Sequence, residues 1–154
     1  MSQTSELIKV LQDVHQSEDA WHGPGLRKIL AGVDSRQALA SPVPGYHSIW
    51  EIVLHISHWE EVFCIRLTGK PMEEPEAGDW PAVRGTTEDA WQRDLAFLDQ
   101  THDRLIQAVS ALTDSDLGRI VAGKPYTASW MIQGSARHHT YHAGQIAVVK
   151  RLIR

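Results

Sequence analysis

The chain has 154 residues, 42% of them hydrophobic and 22% charged, which suits one globular domain spanning 1–154 with a core of its own. Lys plus Arg is 15 against 19 Asp plus Glu, so the basic footprint of a nucleic-acid binder is missing. One cysteine, Cys64, excludes an intramolecular disulfide framework, and no run approaches the roughly 18 apolar residues of a membrane span. With no basic, then apolar, leader at the N-terminus, the expected setting is cytoplasmic. Two counts stand out: 9 histidines and 6 tryptophans, against 2 phenylalanines.

The apolar positions have a helical period almost throughout. Leu7, Val10, Leu11 and Val14 predict a first helix from about Thr4 to about Ala20. Gly23-Pro24-Gly25 breaks the chain. Leu26, Ile29, Leu30 and Val33 then suit a short helix, and Asp34 or Ser35 can cap another turn. After Pro42, Pro44 and Gly45, Ser48 and Glu51 have capping-box spacing and open a helix that should run to about Leu67 and stop at Gly69. Its core stripe reads Ile52, His55, Ile56, Trp59, Phe63 and Leu67. The stretch from Gly69 to Gly85 is too long for a tight hairpin. It either crosses the bundle or lies over one end.

Thr86 or Thr87 starts the next helix, whose stripe is Trp91, Leu95, Leu98, His102, Leu105, Val109 and Leu112. Steps alternating four and three are the seam of a packed bundle helix. A short turn is expected at Thr113 to Leu117. The last helix begins at Thr127 or Ser129, with Gly134, His138, Tyr141, His142, Gln145, Val148, Val149 and Leu152 on one face. Lys150, Arg151 and Arg154 complement its C-terminal dipole. Four long amphipathic helices with one long connection predict an all-α four-helix bundle.

His138 and His142 are four apart, so a helix stacks both imidazoles on one face, able to grip one metal ion. His55 interrupts an apolar stripe and is the best third ligand. Three neutral histidines would leave coordination positions open, as catalytic sites do. Spacing alone keeps a second reading open, in which these are ordinary buried, hydrogen-bonded histidines. No glutamate follows His138, so the metalloprotease motif is absent.

Of the others, His58 is expected at the rim of the site or behind its ligands, and His139 at the surface or in a dimer contact. His102 is expected as a hydrogen-bonded core residue, His47 in a loop at the site mouth, and His15 and His22 at the surface. Gln145 or Tyr141 is placed to orient a ligand. Trp50, Trp59, Trp91 and Trp130 read as core or interface aromatics, and Trp21 and Trp80 as pocket walls. Glu60 and Glu61 read as solvated helix faces. Cys64 reads as a buried, inert thiol. No catalytic acid, base or nucleophile can be named.

Two segments, Pro44-Gly45-Tyr46-His47-Ser48-Ile49-Trp50-Glu51-Ile52-Val53-Leu54-His55-Ile56 and His138-His139-Thr140-Tyr141-His142-Ala143-Gly144-Gln145-Ile146, carry a resemblance. In this order and about 80 residues apart, they resemble the second-helix and last-helix motifs of the DinB/YfiT-like superfamily. The resemblance covers nearly the whole chain. It implies a four-helix bundle that holds a divalent metal on His55, His138 and His142; imidazole ligands suit zinc, nickel, copper and iron, and zinc or nickel is expected. It implies a homodimer as well. It also implies a metal-dependent enzyme, foremost an S-transferase using a low-molecular-weight thiol such as bacillithiol or mycothiol. The alternatives are a metal-dependent hydrolase or a metal-stabilised binding protein.

Overall fold

A computed structural model describes residues 2–153; Arg154, read above as a dipole partner, lies outside them. Four long helices, α1 (Gln3–Gln16), α4 (Ile49–Leu67), α5 (Glu88–Ser110) and α6 (Ala128–Leu152), form the bundle. Two short helices, α2 (Leu26–Leu30) and α3 (Ser35–Leu39), fill the first connection, and a 3-10 turn at Asp114–Gly118 precedes the last. The described residues contain no strand, only the isolated bridges Ala20–Gly23 and Ile120–Thr127. No helix among them is long and apolar enough to cross a membrane.

The start signals are realised as side-chain caps. Ser48 accepts from the Glu51 amide while Glu51 reaches back to the Ser48 amide. Asp34 and Gln37 repeat the device on α3. Thr87, not Thr86, caps α5, and Thr127, not Ser129, caps α6. Gly69 ends α4 with φ +88°, a conformation that favours glycine. The first helix is shorter than expected. It stops at Gln16 because Ser17 turns extended and its carbonyl accepts from Gly25, so residues 17–20 belong to the turn that folds α2 back.

Neighbouring side chains give the helix directions. Trp50 donates to Asp94, and Glu60 meets His102, so α4 and α5 run parallel. His55 meets His138 and His142, while Arg66 meets Tyr126, so α4 and α6 are antiparallel. Thr4 meets Asp114 and His15 meets Asp99, so α1 and α5 are antiparallel. Two parallel helices adjacent in sequence need a crossover. Residues 69–85 supply it, and crossing the bundle, not covering one end, is the outcome. Arg66 pins its start through the Met72 and Glu73 carbonyls, and it then returns along α4 to place Asp79 and Trp80 beside His55.

The core forms two clusters. One gathers Leu26, Leu30, Ile49, Trp50, Val53, Ile56, Trp91, Leu98 and Ile146. The other gathers Leu11, Val14, Leu67, Leu105, Val109, Met131 and Ile132. The α5 stripe is buried from Trp91 to Val109, with Leu112 half-buried at its end. Two stripes need correction. On α4, burial extends round the helix to Val53, Leu54, Ser57, Glu60, Val62 and Arg66, while Trp59 and Phe63 are only half-buried. On α6, the buried face is Met131, Ile132, Ser135, Ala136, His139, His142, Ala143, Ile146 and Val149. Tyr141, Val148 and Leu152 are exposed, because the apolar residues of this helix are few and spread around it.

Candidate metal centre

His55 from the middle of α4 and His138 and His142 from α6 meet at one point. Their Nε2 atoms converge: His55 to His138 is 2.9 Å and His142 to His138 is 3.1 Å. The opposite nitrogens of two rings are tied to oxygens. His55 Nδ1–H donates to the Asp79 carbonyl at 2.6 Å, and His142 Nδ1–H donates to Gln145 Oε1 at 2.6 Å. In the neutral rings this leaves a lone pair on each of those two Nε2 atoms. Both face His138 Nε2, which can carry at most one proton. At least one of the contacts therefore opposes two lone pairs. A cation among the three nitrogens would remove that repulsion, and the oxygen acceptors behind the rings are the supports that metal-binding histidines have. The donor set fits an imidazole-ligated divalent metal.

Burial keeps the rings neutral. It pushes His138 down to about 3, helped by the facing His142 and His55. It pushes His142 to about 4, opposed by its bond to Gln145, and lowers His55, opposed by the Asp79 carbonyl. Neutral imidazole is the metal-binding form.

The connection roofs the site. Trp80 stacks on His55 with centroids 4.0 Å apart, and His47 stacks on the far face of the indole at 3.5 Å. Trp59 Nε1 donates to the Asp79 carboxylate at 2.8 Å, fixing the residue whose carbonyl holds His55. His55 and His138 open into a pocket of about 540 Å³ walled by Trp59, Phe63, Tyr126, Trp130 and Gly134. A second cavity of about 560 Å³ lies across Trp80, lined by Tyr46, Ile52, Gly144 and Val148.

The family model described as the DinB superfamily matches residues 19–146, most of the chain. The chain belongs to the DinB superfamily. Comparison with curated proteins and with solved structures found no significant match. Membership and the convergent triad together fit a metal-binding protein.

The other predicted residues divide in this DinB superfamily member. Gln145 orients His142; Tyr141 is exposed and meets His142 only edge-on at 5.1 Å. His58 is not at the rim of the triad: it pairs with Glu61 at 3.2 Å and packs on Phe97 on the α5 side. Trp80 lines the site as expected, whereas Trp21 projects fully into solvent. His22 is exposed. Cys64 is half-buried, and burial raises its thiol to about 11, the state of an unreactive cysteine.

Three expectations are overturned. His15 and His139 are buried, not at the surface, and Glu60 is buried, not solvated. They join His102 in a group of their own. The reason is the wider buried face of α4 and the offset of the α6 core face by about one residue, roughly 100°, which send position 60 and position 139 inward. Asp79 is the site residue that the sequence did not flag. It acts through its backbone carbonyl, for which side-chain identity carries no signal.

Proposed function

We propose that this protein is a metal-dependent enzyme in which His55, His138 and His142 hold a divalent ion, zinc or nickel. The observation that carries the reading is the convergence of three Nε2 atoms, two of them backed by oxygen acceptors, at the wall of an open pocket. Bound there, such an ion would supply Lewis-acid activation of a small molecule beside it at neutral pH. We assign thiol-dependent S-transfer, with a low-molecular-weight thiol as cosubstrate, on the strength of family resemblance.

The protein's own groups do the positioning. Asp79 and Gln145 hold two imidazoles in one tautomer and orientation. Trp80 covers one face of His55 and keeps water from it. The aromatic wall of Trp59, Phe63, Tyr126 and Trp130 offers flat apolar surface to an electrophile, with centroids of Tyr126 and Trp130 stacked at 4.6 Å. Cys64 does not line this pocket and burial pushes its thiol up, so in this reading the sulfur comes from a cosubstrate.

The test uses tag-free protein loaded with zinc or nickel, a panel of small thiols and 1-chloro-2,4-dinitrobenzene as chromogenic electrophile. Turnover that needs both metal and thiol, and is lost in His142→Ala, is the expected result. Thiol consumption equal to that of His142→Ala overturns transfer. Hydrolysis of a chromogenic ester by the wild type alone would replace it with the hydrolase reading.

A further inference from the structure

The second histidine group draws one residue from each long helix: His15 from the last turn of α1, Glu60 from α4, His102 from α5 and His139 from α6. All four are 5% exposed or less. His102 Nδ1 lies 2.8 Å from Glu60 Oε1, and His139 Nδ1 lies 3.4 Å from the same oxygen. Thr101 donates its hydroxyl to the other carboxylate oxygen at 3.2 Å. On the far side, His15 Nε2 lies 2.9 Å from Asp99 Oδ1, which Arg27 also approaches at 3.2 Å.

His15 and His102 therefore each turn one N–H to a carboxylate, and His139 sets its Nδ1 beside Glu60. In the neutral rings this leaves lone pairs on His15 Nδ1 and His102 Nε2, and with its proton on the Nδ1 that faces Glu60, His139 presents one more on Nε2. Two of these, His15 Nδ1 and His139 Nε2, face each other at 3.2 Å. The third, His102 Nε2, is the buried side-chain nitrogen that has no hydrogen-bond partner among the described residues. An unpartnered buried polar atom is costly, and so are opposed lone pairs. One nitrogen of each ring lies within 4.8 Å of the other two.

We propose that His15, His102 and His139 form a second, buried transition-metal site, with Glu60 and Asp99 as the acceptors that orient the rings. Three imidazole nitrogens select a borderline ion such as zinc, cobalt or copper over calcium or magnesium. The carboxylates stand behind the histidines as they do in metal centres generally. The rings of His15 and His102 are stacked, 4.1 Å apart and 12° from parallel. A ring ligates in its own plane, so binding by all three turns one ring out of the stack. With all three imidazoles and Glu60 buried, the ion enters as the chain folds. Its role is to tie all four long helices together, apart from the triad that faces the pocket.

The test uses tag-free, full-length protein made in zinc-supplemented medium, its metal content measured by mass spectrometry. Wild type should hold about two zinc ions per chain, and His138→Ala/His142→Ala about one. Adding His102→Gln to that variant should leave about none. Refolded with cobalt, His138→Ala/His142→Ala should show the visible bands of a nitrogen-ligated ion, which keeps the inference testable if the His102→Gln protein does not fold. One zinc in the wild type and none in His138→Ala/His142→Ala, with no cobalt bands, overturns the second site in favour of a shared proton only, and leaves the proposed enzyme standing. One zinc that survives His138→Ala/His142→Ala but not His102→Gln alone supports the second site and removes the triad.

Discussion

Gln145 Oε1 lies 2.6 Å from His142 Nδ1, one turn further along the same helix. The amide oxygen accepts a hydrogen bond from Nδ1–H and so leaves the Nε2 lone pair facing His138. Replacing it frees the ring to rotate and to change tautomer. Gln145→Ala should therefore weaken metal binding by about 10–100-fold without unfolding the bundle. Competition against a chromogenic chelator measures this, and an unchanged affinity would show that the bond does not orient the ligand.

Acid should destabilise the metal-free protein in a defined window. Burial lowers His138 to about 3 and His142 and His15 to about 4 in the folded chain. The unfolded rings titrate near 6.5, so the unfolded state binds more protons as pH falls through that range. Stability must then drop from about pH 6.5 downward, toward the folded values. Metal affinity falls in the same direction, because protons compete for the same nitrogens. Urea midpoints at about pH 7 and pH 5, with chelator present, should be lower at the acid end. An equal or higher acid midpoint contradicts the neutral buried rings.

A side chain at position 134 would enter the pocket. A Cβ built on Gly134 meets no heavy atom within 4 Å. Gly134→Ala should raise stability by about 0.5–1 kcal/mol, since alanine is the better helix former. Gly134→Phe should fill the space beside His138 and cut turnover of bulky electrophiles while metal content holds. Full activity in the phenylalanine variant would place the substrate elsewhere.

Gly25 is a different case. A Cβ there would lie 2.8 Å from the Ser17 amide nitrogen and 2.9 Å from both the Gln16 nitrogen and the His15 carbonyl carbon. These are backbone atoms and cannot swing aside. Gly25→Ala should cost about 1–3 kcal/mol, read as a shift in the urea midpoint. A neutral result would mean that the turn after α1 yields easily.

Arg66 is buried at 4% exposure and spends its guanidinium on the Met72 and Glu73 carbonyls and on Tyr126 Oη. Lysine cannot reproduce that fork. Arg66→Lys should lose about 2–4 kcal/mol and loosen residues 72–80, seen as faster amide exchange there. Unaltered exchange would show that the connection is held by Trp80 and Asp79 instead.

Much of the fold was legible because it rests on local signals. Ser48–Glu51 and Asp34 announce their helices by short-range hydrogen bonds, and the α5 stripe repeats with little interruption. The triad was legible for the same reason: an i, i+4 pair is a property of one helix, and His55 breaks an apolar run. What failed were judgements about facing. The α6 sequence has small and polar residues on several sides, so its buried arc could not be told from its exposed one. Position 139 followed that error, and position 60 followed from treating α4 as half-buried when α3, α5 and α6 pack around it. His15 was lost because its partners, Asp99 and His139, are distant in sequence.

Two kinds of scaffold meet at the triad. Its three histidines stand on α4 and α6, whereas its roof, Asp79 and Trp80, belongs to an irregular segment pinned at Arg66. Substitutions in that segment can reshape what the site admits while the nitrogen geometry stays fixed by helix packing. Exchanging one stretch of chain can thus change what reaches the histidines, and the same arrangement makes that stretch the natural place for an engineer to graft a new preference.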